Sequence, residues 1–316
     1  MTLATSFTLG SLRCHLLEGG WQRLDGGAMF GVVPKPLWAR RIAPDERNRI
    51  RLAMRCLLVE HPDGLVLVDT ALGNKEDDKF REIYGVENAG RRGPTQLEDA
   101  LEEAGYRPED VRWVINTHLH FDHAGGNTVR GSGSGPAGHA VWDPAVSPPG
   151  PSDPGADVRL AFPNATYVVQ AGELDFARHP NERTRASYLP HNFEPVALAG
   201  RWRLIAGDQE ILPGLFARLT PGHVPWHQSV VLRSGGETAV FLADLVPTSA
   251  HLPLPYIMGY DLEPLRTLES KRGLYREAGA EGWWLIFEHD AEIAMGRAVP
   301  EAKGLGLAEV VRAGAG

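Results

Sequence analysis

The residues with the clearest chemistry form one short run, His118–His123, in the order His-Leu-His-Phe-Asp-His. The run follows an apolar, strand-like stretch over residues 111–117 and is followed at once by Gly125-Gly126, where the chain must turn. Imidazole suits divalent transition metals, and a carboxylate beside it favours a hard or borderline ion. Four such groups would be costly to bury together without a cation. The run therefore predicts a metal site just beyond the end of a strand.

Three further candidate ligands lie elsewhere in the chain. His223, Asp244 and His289 each stand at or just after the end of an apolar run that is typical of a strand, and Asp69 is a carboxylate at another such end. Taken alone, each is more often a structural or surface residue. Together with the 118–123 run they predict one arrangement, in which polar side chains project from the same edge of stacked sheets.

The elements that must position these residues can be predicted in outline. Residues 51–60 and 65–70 are apolar runs joined by His61-Pro62-Asp63-Gly64, and Asp-Gly between two strands predicts a hairpin. Thr95 and Glu98 fit a capping box that opens a helix, which Gly105 would end. A second helix is predicted over residues 262–278 and a final strand over 282–287. Strands and helices alternate without a strict βαβ repeat, which indicates layered sheets with helices packed outside, an α+β fold.

Residues 130–163 differ in character from the rest of the chain. They contain Gly131–Pro136, in which Gly and Ser alternate before a Pro, and Pro148–Pro151, which favour neither helix nor strand. A long insertion inside a compact domain is often a lid, a binding loop or a disordered segment. We interpret this one as a mobile flap, with a disordered insertion of no function as the alternative. His139 lies within it and is expected to be solvated.

The bulk properties exclude several classes of function. A length of 316 residues with 43% hydrophobic and 23% charged residues is ordinary for one large folded domain. The formal net charge of −8 argues against a nucleic-acid partner, which usually requires a basic surface. Cys14 and Cys56 both lie in apolar runs and are expected to be buried free thiols. Residues 1–17 lack the pattern of a secretory signal and no apolar run spans a bilayer, so a cytoplasmic location without a membrane partner is expected.

Taken together, these residues resemble the metallo-β-lactamase superfamily of hydrolases. The resemblance rests on Asp69, the 118–123 run, His223, Asp244 and His289, in that order, and covers the chain roughly from Arg51 to Asp290. It implies a single domain over residues 1–316 with the four-layer αββα sandwich of that family. The metals would lie at one edge of the two sheets.

The resemblance also implies a role for each ligand. His118, His120 and His223 would hold one zinc ion. Asp122, His123 and His289 would hold a second, and Asp244 would bridge the two. Asp69 would orient a ligand histidine through its other ring nitrogen, and Asp122 or Asp244 would pass a proton to the leaving group.

General metal chemistry independently favours a catalytic pair of zinc ions. Mixed imidazole and carboxylate ligands with an open position are typical of catalytic zinc, whereas structural zinc prefers closed shells. Two metals about 3.5–4 Å apart stabilise both the attacking and the leaving oxygen of a displacement. The ions also lower the pKa of bound water to roughly 7, which supplies a nucleophile at neutral pH.

Within the superfamily, the ligand set is most similar to that of N-acyl homoserine lactone lactonases, with methyl-parathion-hydrolase-like enzymes as the near alternative. His120 stands where iron-containing flavodiiron members typically carry Glu, and antibiotic-cleaving β-lactamases lack the bridging Asp244. The chain shows neither the nucleic-acid-binding additions of related ribonucleases nor a clear C-terminal glutathione-binding domain of the glyoxalase II type. Some lactonases carry a tyrosine three residues after the bridging aspartate. Pro247 stands there in this chain, which shifts weight toward the parathion-hydrolase-like and aryl esterase members.

Five side chains are predicted to contact a small ester or lactone substrate. They are Phe30, Trp38, Trp226, His251 and Tyr256. For the two in the Gly- and Pro-rich stretch 24–45, the alternative is that they close the rim of the core. Tyr256 or Tyr260 could replace the missing phenol, and His227 is expected to hydrogen-bond nearby backbone.

The sequence thus predicts a dinuclear zinc hydrolase of lactones or carboxylic esters, with side activity toward aryl esters and phosphotriesters. Two hypotheses from other classes remain open: a mono-iron sulfur dioxygenase of the same fold, and a metal-binding sensor or partner protein without catalysis. A single metal would leave His123 and His289 without a role, and a sensor needs no open metal position. A homodimer is an expectation from the resemblance alone.

Overall fold

The computed structural model describes residues 2–130, 158–302 and 304–314, and within these ranges the chain forms sixteen strands and eight α-helices. The strands are β1 (Ala4–Leu9), β2 (Leu12–Asp25), β3 (Arg49–Glu60), β4 (Leu65–Val68), β5 (Val111–Ile115), β6 (Thr128–Arg130), β7 (Val158–Leu160), β8 (Thr166–Gln170), β9 (Trp202–Ile205), β10 (Gln209–Leu212), β11 (Leu215–Leu219), β12 (Gln228–Ser234), β13 (Glu237–Phe241), β14 (Trp284–Ile286), β15 (Ile293–Glu301) and β16 (Gly304–Arg312). The helices are α1 (Gly26–Phe30), α2 (Lys35–Trp38), α3 (Asp78–Tyr84), α4 (Gln96–Glu103), α5 (Phe121–Ala124), α6 (Ala171–Arg178), α7 (Glu194–Leu198) and α8 (Pro264–Glu281).

Fourteen of these strands form two seven-stranded sheets. The first has the order β1-β2-β3-β4-β5-β8-β9 and the second the order β10-β11-β12-β13-β14-β15-β16. Both sheets are mixed: β4, β5, β8 and β9 run parallel in the first, and β13 and β14 run parallel in the second. The other neighbours pair antiparallel, as the predicted hairpin between β3 and β4 does with Leu57 opposite Val68.

Three layers of apolar side chains hold the sheets and helices together. Between the two sheets, Val68 and Ile115 of the first pack with Val230 and Phe241 of the second. A second cluster joins the outer face of the first sheet to α4, and a third joins the second sheet to α8. The strands buried on both faces read as continuous apolar runs, as in β4, where all four residues are buried. The fold is therefore the predicted αββα sandwich.

Helix α4 begins at the predicted position, but the predicted capping hydrogen bonds between Thr95 and Glu98 do not form there. Thr95 is its N-cap residue, yet the Thr95 side chain makes no capping hydrogen bond. Asp99, one residue beyond the expected Glu98, instead accepts backbone N–H groups of the preceding loop, including that of Gly93 at 2.7 Å. The capping box was therefore wrong, because the polar contact holds the loop before the helix and leaves the first turn uncapped.

Both ends of the predicted insertion, residues 130 and 158–163, belong to the folded domain in the structure. Strand β7 pairs antiparallel with β6, with Arg130 opposite Val158, so the chain on either side of residues 131–157 belongs to the fold. Phe162 is likewise buried in the cluster beneath the first sheet. Residues 131–157, including His139 and most of the proposed flap, lie outside the described residues.

The two cysteines are buried free thiols, as predicted. Cys14 lies between the sheets and Cys56 in the cluster beneath the first sheet. Burial raises the pKa of the Cys14 thiol to about 12, so it stays protonated at neutral pH. Among the described helices, none combines the length and the apolar character that crossing a bilayer would require.

Candidate metal centre

The predicted ligands lie just beyond the carboxyl ends of five strands. Asp69 follows β4 and the 118–123 run follows β5, while His223, Asp244 and His289 follow β11, β13 and β14. Because β4 is parallel to β5 and β13 is parallel to β14, the ends of each pair meet at one edge of its sheet. Side chains from these ends converge in the crevice where open sheets of this kind place their sites.

His118, His120, His223 and Asp244 form a first group, whose ligand atoms all lie within 4.8 Å of one another. The Nε2 atom of His223 lies 3.0 Å from Asp244 Oδ2 and 3.1 Å from His120 Nδ1. On the other side of the His223 ring, Nδ1 is 3.0 Å from Asp261 Oδ1, which fixes the orientation of the imidazole.

Asp122, His123 and His289 form a second group with the same spread. The Nε2 atoms of His123 and His289 lie 3.2 Å apart. Asp69 Oδ2 lies 3.1 Å from His123 Nδ1, where an orienting role would require it, and also accepts the hydroxyl of Thr117 at 2.6 Å. The left-handed backbone of Asp69, with φ of 54°, turns its carboxylate into this position directly after β4.

Asp244 lies between the two groups. Its Oδ2 is 3.0 Å from His223 Nε2 in the first group and 3.5 Å from His123 Nε2 in the second, and its Oδ1 is 3.1 Å from His289 Nε2. The backbone N–H of Asp244 donates to His227 Nε2 at 3.2 Å, which is the backbone contact expected of His227. One carboxylate therefore faces imidazoles from both halves of the site, as a bridging ligand must.

The donor atoms fit a pair of cations. Imidazole nitrogens of His120 and His223 lie 3.1 Å apart, and those of His123 and His289 lie 3.2 Å apart, so each pair is close enough to bind one ion. The Nε2 atom of His118 is buried and has no hydrogen-bond partner among the described residues. A buried polar atom left unpaired is costly, and coordination to a metal would satisfy it. Imidazole and carboxylate in this proportion are the ligands that zinc takes at catalytic sites.

The charges of the site are strongly coupled. Burial lowers the pKa of His118 and His120 well below the usual value, and neighbouring imidazoles lower it further. Burial acts in the same direction on His223 and His289, but the carboxylate of Asp244 outweighs it and raises their pKa values to about 10 and about 9. Burial raises the pKa of the Asp244 carboxyl, but the imidazoles around it prevail and hold that pKa well below its usual range. The carboxylate is therefore ionised and available as a ligand.

Three polar contacts to the ligands were not predicted from the sequence. Gln22, fully buried on β2, donates from Nε2 to Asp122 Oδ2, and Asp261 contacts His223 as described above. The carboxylate of Glu288 lies 3.0 Å from His123 Nδ1, and burial raises its pKa to about 8. Glu288 could have been suspected because it precedes His289, whereas Gln22 and Asp261 carry no signal in a single sequence.

A cavity of about 340 Å³ opens directly onto the two groups. His120, Asp122, His223, Asp244 and His289 line its base. Its walls are mostly apolar and consist of Leu24, Ala28, Met29, Leu52, Phe121, Met258 and Leu262. Six further residues complete the lining. They are the two phenols Tyr84 and Tyr260, the polar residues Arg183, Thr184 and Ser187, and Gly259.

None of the five predicted substrate-contacting residues is among this lining. Phe30, Trp38, His251 and Tyr256 pack together in the layer behind it, where the Phe30 ring stacks on Trp38 at 5.3 Å and on His251 at 4.4 Å. His251 is fully buried, and its Nε2 contacts the carbonyl oxygen of Met29 at 2.8 Å. Trp226 lies against Gly172. In the structure, Phe30, Trp38, His251 and Tyr256 thus lie behind the cavity wall, and Met29, Met258 and Tyr260 are among the residues that form its surface.

The chain belongs to the metallo-beta-lactamase superfamily, whose family model matches residues 55–280. It is similar to the N-acyl homoserine lactonase AiiA of Bacillus thuringiensis subsp. kurstaki, with 28% identity over 251 residues that cover 77% of this chain and 83% of the relative. Its structure is similar to that of a probable metal-dependent hydrolase from Staphylococcus aureus, with a TM-score of 0.80 and 28% identity, covering 96% and 100% of the two chains.

A further structural neighbour has the same fold. It is AidC, a dizinc quorum-quenching lactonase solved with a product bound, at a TM-score of 0.73 and 18% identity, covering 98% of each chain. With the family and the lactonase relatives established, the chain is a metal-dependent hydrolase.

Proposed function

We propose that this hydrolase uses two zinc ions to open the ring of N-acyl homoserine lactones and related lactones or carboxylic esters. One observation carries the proposal: Asp244 faces both ligand groups at the base of a cavity whose walls are mainly apolar. The similarity to proteins named N-acyl homoserine lactonase supports the choice of a lactone with an acyl chain.

In this proposal His118, His120 and His223 hold one zinc ion, and Asp122, His123 and His289 hold the other. Asp244 binds both. When bound, such ions polarise a carbonyl oxygen and make water acidic enough to attack it near neutral pH. The carboxylate of Asp122 or Asp244 would accept the proton that the attacking water loses and pass it to the leaving alkoxide.

The cavity wall provides binding and orientation. The side chains of Leu24, Met29 and Met258 form an apolar surface for the acyl chain, and burying that chain excludes water from the reacting ester. Burial raises the pKa of Tyr260 to about 12, so its phenol stays protonated and can donate a hydrogen bond to a substrate oxygen. Tyr84 offers a second phenol in the same cavity.

A second candidate is an aryl ester or phosphotriester hydrolase of the parathion-hydrolase type. It is favoured by Pro247, which stands where some lactonases have a tyrosine and has no side-chain donor. In this chain the phenols of the cavity come from Tyr84 and Tyr260, which lie on other segments.

A substrate panel tests the proposal. The zinc-loaded protein would be assayed on N-hexanoyl homoserine lactone, phenyl acetate and paraoxon, and kcat/KM compared, with Asp244→Ala as the inactive control. We expect the lactone to exceed the other two by at least about tenfold, a difference of about 1.4 kcal/mol in transition-state binding. A preference for phenyl acetate or paraoxon would favour the second candidate, and turnover of none of the three would overturn both.

A further inference from the structure

A buried arginine holds the segment that carries His289. Arg55, on β3, is fully buried, and its Nε donates to Glu18 Oε1 on β2 at 2.8 Å. Its two other nitrogens reach across to the second sheet, where Nη1 donates to the carbonyl oxygen of Phe287 at 2.6 Å and Nη2 to that of Asp290 at 3.0 Å. The guanidinium thus grips the chain on both sides of His289.

The backbone of β3 completes this attachment. The N–H of Arg55 donates to the carbonyl oxygen of Glu288 at 3.1 Å, and the N–H of Ala53 donates to that of His289 at 3.1 Å. The Nδ1 atom of His289 in turn lies 2.7 Å from the carbonyl oxygen of Ala53, which directs its Nε2 toward Asp244. The position of this imidazole therefore depends on β3.

A separate contact from β2 fixes another member of the same group. Gln22 lies opposite Leu52 of β3 and donates from Nε2 to Asp122 Oδ2. The first group has different supports, since His223 is oriented by Asp261 and the N–H of Asp244 is bound by His227. Thr117 and Asp69 link His118 to His123, but the contacts from Gln22 and Ala53 reach ligands of the second group only.

We propose that Arg55 and Gln22 are positioning residues that set the affinity of the second metal position, formed by Asp122, His123 and His289, without governing the first. The inference rests on the proposed dinuclear function. The planar fork of a guanidinium can bind two carbonyls and one carboxylate at once. Glu18, Gln22 and His289 all lie outside residues 55–280 that the family model matches, so this clamp joins the two flanking segments of the chain.

Two variants with matched controls test the inference. Arg55→Lys keeps the charge beside Glu18 but loses the fork, and Gln22→Leu removes the contact to Asp122. Arg218→Lys serves as a control, because Arg218 makes a paired contact with Glu277 at the surface, away from the site. Asp261→Asn serves as the opposite control, since it disturbs only the first group. For each protein, zinc per chain would be measured at a series of buffered free zinc concentrations, with cobalt absorption spectra as a second readout.

We expect Arg55→Lys and Gln22→Leu to lower the binding affinity for one of the two zinc ions by about 10–100-fold, because loss of a partner to a metal ligand commonly has an effect of that size. Over the matching range of free zinc, stoichiometry should fall from two to one, while the affinity of the retained ion stays within about twofold. The absorption spectrum of cobalt bound in the first group should change in Asp261→Asn. In Arg55→Lys and Gln22→Leu it should stay like that of the wild type. Arg218→Lys should match the wild type throughout.

If the variants lower the affinity for both zinc ions equally, or for neither of them, the inference is overturned while the proposed function stays intact. If the wild type itself binds no pair of ions, the proposed function fails and the inference fails with it. Far-ultraviolet circular dichroism would first establish that each variant is folded, and should Arg55→Lys not fold, Gln22→Leu decides alone.

Discussion

Asp244 is the residue on which the two halves of the site depend most. Its carboxylate is the one acidic group that lies within about ion-pair distance of imidazoles from both ligand groups in the described residues. The turn that presents it begins at Ala243, whose φ of 46° is unusual for a residue with a side chain. Such left-handed residues tend to occur where a structure holds a functional group in place.

Replacing this carboxylate should abolish the pairing of the metals. For Asp244→Ala we expect zinc content to fall below two per chain and lactonase activity to fall by more than about 100-fold, since even indirect partners of a metal cost 10–100-fold. Elemental analysis and initial rates would measure both. The control is His179→Ala, because His179 is exposed and its ion-pair contact is with Asp175, which is not part of the site. Two zinc ions and near-normal activity in Asp244→Ala would show that this residue does not bridge.

The acyl preference should depend on a residue that the sequence did not single out. Met258 lies on the cavity wall, so Met258→Ala would lengthen the apolar space beside the ligands. We expect kcat/KM for a ten-carbon acyl lactone, relative to a four-carbon one, to rise by about tenfold, equivalent to burying about two more methylenes. Met295→Ala is the matched control, because Met295 is buried between the sheets and its loss should affect stability alone. An unchanged ratio would place the acyl chain elsewhere.

The ligands and the pocket differ in how far sequence could predict them. The ligands were predicted because imidazoles and carboxylates at several strand ends have few other uses. Phe30, Trp38 and Tyr256 do not line the cavity, and the reason is that bulky rings suit a core as well as a cleft. Which face of a loop is turned toward the cavity depends on long-range packing, and a single sequence carries no signal for it.

At the scale of elements, helix α8 supports the cavity wall through one buried lysine. Lys271 Nζ donates to the carbonyl oxygens of His251 at 2.7 Å, Tyr256 at 2.9 Å and Pro253 at 3.1 Å. The loop that it holds continues directly into Met258 and Tyr260 of the cavity. The shape of this wall is thus coupled to the helix outside the second sheet.

Burial of Lys271 gives this contact a pH dependence. Burial lowers its pKa to about 7, whereas in the unfolded chain the pKa is about 10.4. Between these values the unfolded chain binds more protons, so the contribution of Lys271 to the free energy of unfolding increases with pH, by at most about 1.4 kcal/mol per unit. Urea unfolding would give the free energy of unfolding of the wild type and of Lys271→Met at pH 6.5 and 8.5. Between pH 6.5 and 8.5, the stability of the wild type relative to the variant should increase by about 1–2 kcal/mol.

An exposed lysine supplies the control for this effect. Lys79→Met, on the surface of α3, should show the same difference from the wild type at both pH values. A difference for Lys271→Met that stays constant or moves in favour of the variant would contradict a lowered pKa in the folded protein.

Element boundaries were predicted unevenly, for identifiable reasons. The hairpin between β3 and β4 was predicted because its Asp-Gly turn is specific, and Gly64 does adopt a positive φ of 113°. The start of α4 was located, but the contact was assigned to Glu98 when Asp99 makes it. Adjacent acidic residues are equivalent in a sequence pattern, and only the path of the preceding loop distinguishes them.

At the scale of the whole molecule, the fold gathers distant segments at one edge. The two groups take their members from the ends of strands in both sheets, and β2 and β3 support the last of these strands from the opposite sheet. The αββα arrangement could be predicted because the order of the ligands along the chain matches a known family. The limits of the 130–163 insertion could not, because the short apolar run Val158–Phe162 follows directly on a Gly- and Pro-rich stretch, and a run of that length does not reveal whether it pairs or packs in the fold.

The dinuclear site is tested most directly by anomalous diffraction from crystals of the zinc-loaded protein, recorded above and below the zinc absorption edge. We expect two peaks about 3.5–4 Å apart, one among His118, His120 and His223, the other among Asp122, His123 and His289, with Asp244 in contact with both. A single peak, or peaks away from these residues, would contradict that expectation.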